Sequence, residues 1–144
     1  MSPRGAPSVL RDQHGRVSAF VVVLATACLL FAGLVLDGGL TLAAKTRATG
    51  QAQEAARAGA QELDLSAYRT TGAFRLDPTH AQAAAQRYLT TVHATGTVTV
   101  TGNAVAVTVT TRTPTQLLSL IGISEITVTG AGRAEPQQTA RKIP

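Results

Sequence analysis

Val17-Ser-Ala-Phe-Val-Val-Val-Leu-Ala-Thr-Ala-Cys-Leu-Leu-Phe-Ala-Gly-Leu-Val-Leu36 is a run of 20 residues without a charge. At ~1.5 Å per residue a helix of this length reaches about 30 Å, the thickness of a bilayer's hydrocarbon core. The polar members, Ser18 and Thr26, can turn their hydroxyls back to helix carbonyls and so cost little in lipid. No other part of the chain is apolar enough to surround this helix as a soluble core would. The run therefore reads as a transmembrane helix over 17–36, and it divides the rest of the chain.

Upstream, residues 1–16 carry Arg4, Arg11 and Arg16 against Asp12. Downstream, Asp37 follows the run at once, and the nearest bases are Lys45 and Arg47. Basic residues before the span keep that side in the cytoplasm, so residues 37–144 are expected outside, in a single-pass membrane protein. A processing alternative stands beside this. A basic start and an apolar run also describe a signal peptide, with Ala25-Thr26-Ala27 as a small-x-small cleavage site and Cys28 placed like a lipidated cysteine. Against it, Leu29–Leu36 continues the apolar run past the cut.

Past the span, Ala, Gln, Glu, Arg and Lys dominate and favour helix. Residues 37–65 are expected as an Ala-rich helix, with Gly38 and Gly39 as a hinge at the membrane surface. Ala44, Ala48, Ala52, Ala55, Ala56, Gly59 and Leu63 recur at steps of three and four and share one face. Such a face lets another backbone come close. It suits either a partner helix or this protein's own C-terminal domain. Asp37 has two readings as well: an interfacial charge ending the span, or a carboxylate paired with an assembly partner at the membrane edge.

These parts in this order resemble the N-terminal module of TadE/TadG-like proteins, which serve assembly of the tight-adherence (Flp) pilus, a type IV pilus-related secretion system. The resemblance rests on Gly15-Arg16-Val17-Ser18-Ala19-Phe20, Gly33-Leu34-Val35-Leu36-Asp37-Gly38-Gly39, Leu42-Ala43-Ala44-Lys45-Thr46-Arg47 and Ala52–Ala60, over residues 14–63. It implies a structural role with the membrane, pilin or other pilus-assembly subunits as partners, a homo-oligomer among the arrangements. It also marks Gly15 as a processing site. Pilins of the type IV class carry Glu at the fifth residue after such a glycine, and here that position is Phe20. The chain thus resembles the anchored TadG-like side of the family.

The C-terminal part, 66–134, reads as a small α/β domain. Asp77-Pro78 opens a helix, with Asp as N-cap and Pro at the first turn. Ala81, Ala85, Tyr88 and Val92 form its apolar stripe, with Leu89 beside it. The period then switches to two. Val98 and Val100, then Val105, Val107 and Val109, alternate with Thr and Ala around the turn Gly102-Asn103, a hairpin signal. Pro114 begins a short helix with Leu117, Leu118, Leu120 and Ile121. Ile126 and Val128 mark a third strand, closed by Gly130. The expected fold is α+β and membrane-anchored. Its three-stranded, mainly antiparallel sheet sets the third strand beside the first, and two helices cover the valine face. Residues 135–144 read as a disordered tail.

Composition excludes several functions. The chain has 144 residues, only 15% charged and 3% aromatic, with no Trp and one cysteine, Cys28. No Cys-based metal site or disulfide is possible within the chain. Net charge is +5, but the arginines lie singly with no aromatic interleaving, so no nucleic-acid partner is expected. His80 and His93 lie 13 residues apart, off the spacing of a metal pair, no Cys or acidic cluster joins them, and no nucleophile pattern is present. The expectation is a non-enzyme with no cofactor, metal or small-molecule substrate. The competing function is a membrane-tethered or lipidated extracellular binding module without a pilus role, one that captures an extracellular ligand or adds a strand to a partner at an exposed sheet edge.

Overall fold

A computed structural model of the chain describes residues 13–137. Seven segments follow in order: α1 (Gln13–Ala60), α2 (Leu65–Thr71), α3 (Pro78–Thr91), β1 (Thr95–Thr101), β2 (Ala104–Pro114), a 3-10 turn (Leu118–Ile121) and β3 (Glu125–Ala134). The 48 residues of α1 amount to about 72 Å of helix. Its threonines return their hydroxyls to the preceding turn: Thr26 to the Val22 carbonyl at 2.8 Å and Thr41 to that of Asp37 at 2.8 Å. The expected hinge is absent, because α1 runs through Gly38 and Gly39 unbroken. Helical hydrogen bonds on both sides outweigh the roughly 1 kcal/mol that each glycine costs a helix.

Between α1 and α3 lies a closed loop containing a helix that periodicity did not reveal. Asp64 caps α2 by accepting from the Ser66 and Ala67 N–H groups, both at 3.0 Å. Gly72 ends it with φ +67°, in the left-handed region that suits glycine. The bridge Leu63–Leu76 and the Asp64 N–H to Arg75 carbonyl bond (2.8 Å) close the loop. Asp77 caps α3 as its sequence implied, receiving the Thr79 and His80 N–H groups at 3.0 and 3.1 Å.

The sheet is antiparallel with order β1-β2-β3. This corrects the expected strand order: β3 pairs with β2, not with β1. The connection 115–124 is short, and antiparallel neighbours need no crossover. The face a crossover would have to traverse is already occupied by α1 and α3. The segment after Pro114 likewise does not cover the sheet. Pro114 ends β2, and the following 3-10 turn lies against α1. Nor does Gly130 close β3, which continues to Ala134.

The cross-strand rows explain how the helix fits. They read Val100–Val105–Ala134, Val98–Val107–Gly132 and Gly96–Val109–Gly130. Side chains are full on β2 and shrink to a methyl or to nothing on β3, and α1 lies in that relief. A methyl placed on Gly130 would stand 2.6 Å from the Ala48 carbonyl oxygen; one on Gly132 would stand 2.5 Å from that of Ala52. The match is commensurate. Four residues of helix advance about 6 Å, and two residues of strand advance about 6.6 Å. Ala48 and Ala52 thus meet Gly130 and Gly132 in step, with helix and strand running the same way. Leu89 from α3 completes the core with Val105, Val107 and Val109.

Candidate membrane and assembly interface

Asp37 stands one residue past the uncharged run, and its side chain is turned inward, 2% exposed. Its Oδ1 accepts from the Gln116 N–H at 2.8 Å; Oδ2 accepts from Leu117 at 3.1 Å and Leu118 at 2.8 Å. These are the free N–H groups that open the 3-10 turn, whose N-cap residue, Leu117, supplies no side-chain cap. A carboxylate 79 residues away in sequence fills that place. Three charge-assisted bonds offset the cost of taking the carboxylate out of water. Neither expected reading of Asp37 included this role, that of a strut between the end of the apolar run and the β2–β3 connection.

One turn earlier on the same face, Gly33 leaves room for Leu117, whose Cδ1 would lie 2.7 Å from an added methyl. Thr115 donates its hydroxyl to the Ile123 carbonyl, and its N–H reaches the Ser124 carbonyl at 3.1 Å, closing the connection at its base. Lys45 donates to the Thr129 carbonyl of β3. Gly33, Asp37, Ala48, Ala52, Ala55, Ala56 and Gly59 therefore form one buried stripe. Its upper part packs on the sheet and α3: a methyl on Gly59 would lie 2.8 Å from the Ala81 carbonyl oxygen and 3.1 Å from Val105 Cγ1. Of the two uses open to the Ala/Gly face, the chain employs the intramolecular one. Gly38 and Gly39 are exposed with nothing nearby, and Cys28 is free and exposed. Gly15 lies in the first turn of α1.

Sequence periodicity missed Gly33, Gly130 and Gly132 as contact points. The signal was present at Gly130-Ala131-Gly132, where two glycines fall on the valine face of a strand. Polar groups elsewhere form caps and surface pairs. Asp64 is held below the usual carboxylate range, chiefly by the Ser66 hydroxyl and then the Ala67 N–H. The Asp77 carboxyl is lowered by the His80 N–H and side chain, and His80 is raised by its 2.8 Å bond to Asp77. Arg57 pairs with Glu54 at 2.9 Å on the exposed side of α1.

Residues 15–62 match the family model for Tad, putative Flp pilus-assembly TadE/G-like. The match is the N-terminal module that the sequence singled out. It covers a third of the chain, nearly all of α1 and the turn beyond it. No curated protein and no solved structure matches the chain. The Tad-like module thus includes the apolar run, Asp37 and the whole Ala/Gly stripe.

Proposed function

We propose that the chain is a single-pass membrane protein serving as a structural component in assembly of a Flp-type pilus or a related secretion apparatus. The observation that carries this reading is the Tad match over 15–62. The surface of α1 supports the anchoring. Phe20, Leu29, Phe31 and Val35 are 65–75% exposed, a coat of large apolar side chains suited to lipid. Arg4, Arg11 and Arg16 favour a cytoplasmic N-terminal side, with the sheet domain outside. The role is non-enzymatic: the protein works by binding pilin or other assembly subunits. Because the Ala/Gly stripe is occupied by the sheet, partner contacts fall to the exposed faces of the span and the domain.

The test is recovery of the native complex from membranes. Carbonate-washed membranes should retain the protein, and mild detergent should bring down pilus-assembly subunits with it. Release by carbonate, or purification without any such subunit from cells that make the pilus, would overturn the proposal. The intact mass adds a second check, since a chain beginning at Cys28 would lack half the span.

A further inference from the structure

The connection between β2 and β3 is apolar where it projects. Leu120 is 81% exposed and Ile121 68%, with Leu117 and Ile123 exposed beside them. Single surface leucines need no account, but a cluster on one projecting turn does. Its place along α1 supplies one. Helix and strand run the same way where Ala48 meets Gly130 and Ala52 meets Gly132. Followed backwards, β3 descends beside α1 towards the span, and the turn at its foot reaches Asp37 and Gly33. From Ala48 to Gly33 is about 22 Å of helix. Gly33 lies inside the uncharged run that ends at Leu36.

The turn therefore stands at the depth of the span's last turn. Beside it α1 presents Leu34, Leu36 and Leu40, all exposed, so large apolar side chains of the helix flank those of the turn. Asp37 is the one charged residue between Val17 and Ala44, and the turn covers it. Along α1 charge returns to the surface only at Lys45; at the foot of the sheet, just past the turn, exposed Glu125 pairs with Arg112 at 4.0 Å.

We infer that the β2–β3 turn is a membrane wedge. Leu117, Leu120, Ile121 and Ile123 sink into the boundary between headgroups and acyl chains beside the span, and Asp37 fastens the turn to it. Lipid is the occupant of this surface. Apolar side chains a few ångströms into that boundary exchange water for acyl chain, as the buried face of an interfacial helix does. The inference rests on the single-pass reading above.

The experiment uses the full chain with Cys28→Ser, reconstituted in phosphatidylcholine–phosphatidylglycerol vesicles. Single cysteines replace Leu120, Val35 or Thr101 and carry an environment-sensitive fluorophore. Leu120 is so exposed that its replacement disturbs little internal packing, and Thr101 lies at the β1–β2 turn. Brominated acyl chains quench from the lipid, and iodide quenches from water. The wedge predicts that labels at 120 and 35 lose emission to brominated lipid and not to iodide, while 101 loses it only to iodide. If 35 reports lipid but 120 behaves like 101, the wedge is wrong and the span stands. A label at 120 shielded from both quenchers means protein covers the turn, which also overturns the wedge. If iodide quenches 35, the single-pass reading fails and takes the wedge with it.

Discussion

Gly130→Ala tests the commensurate fit of α1 on β3. The added methyl would stand 2.6 Å from the Ala48 carbonyl oxygen and closer still to the Ala48 carbonyl carbon and the Thr49 nitrogen, where 3.4–4 Å is ordinary contact. The obstructing atoms are backbone, so no rotamer change relieves them. The helix must retreat by about an ångström, and a gap of that size forfeits roughly a quarter to a half of each contact's dispersion energy. Overpacking of a core costs about 1–3 kcal/mol, and a rigid obstruction belongs at the upper end. Replacing glycine within a strand returns roughly 0.5–1 kcal/mol of backbone entropy. The net loss is about 2 kcal/mol, or on the order of 10 °C in the melting of so small a domain. Hydrogen exchange of the β2 and β3 amides against temperature in detergent reads it locally. Adding Ala48→Gly should not restore stability, because the clash is with backbone. A Gly130→Ala protein as stable as the parent, or one rescued by Ala48→Gly, would refute the reasoning.

Gly50→Ala is the opposite case. That position is exposed on α1 with nothing near an added methyl, so it should gain about 0.5–1 kcal/mol by thermal unfolding. Leu89→Ala empties a fully buried site between α3 and the valine face and should cost about 2–5 kcal/mol in the same assay. Asp37→Ala should free the turn at 115–124: exchange of the Gln116, Leu117 and Leu118 amides should quicken while the β1–β2 hairpin keeps its protection. Unchanged exchange at those three amides would deny Asp37 its role as a strut. The Asp77–His80 pair predicts a pH window. His80 is raised above its ordinary value near 6.5, so its contribution is full below that and fades as pH rises through the raised value. Asp77 is lowered from 3.8, so its contribution holds above that and fades as pH falls through the lowered value. His80→Gln should flatten the alkaline limb of a stability–pH curve and leave the acid limb sloping with the other carboxylates.

Local chemistry was legible. The long apolar helix shows in twenty uncharged residues, α3 in Asp77-Pro78 and the first hairpin in two valine runs around Gly102-Asn103. What could not be read depends on partners distant in the chain. Alternation at Ile126 and Val128 tells which face is buried but not which strand lies alongside, so β3 was expected next to β1. Gly130 reads as a strand breaker because glycine has no side chain to pack; here that absence admits the helix. Asp37 at the end of a span looks like an interfacial charge, and nothing within ten residues announces that it caps a turn 79 residues on. The segment 117–121 has helical spacing and apolar residues, as a core helix would. Only its attachment to Gly33 and Asp37 shows that it faces outward beside the apolar part of α1.

An unbroken α1 makes the protein mechanically a single rod. The sheet grips the rod at Ala48 and Ala52, the strut at Asp37 grips it again, and no joint lies between these points and Val17. The domain cannot swing or swivel independently of the helix that bears it. A rotation or tilt imposed on the helix at its N-terminal end is delivered undamped to the sheet, roughly 45 Å away. One residue inserted between Val17 and Gly33 would turn the whole domain by about 100° relative to that end. The azimuth at which the sheet meets its surroundings is thus set by a count of residues along the helix.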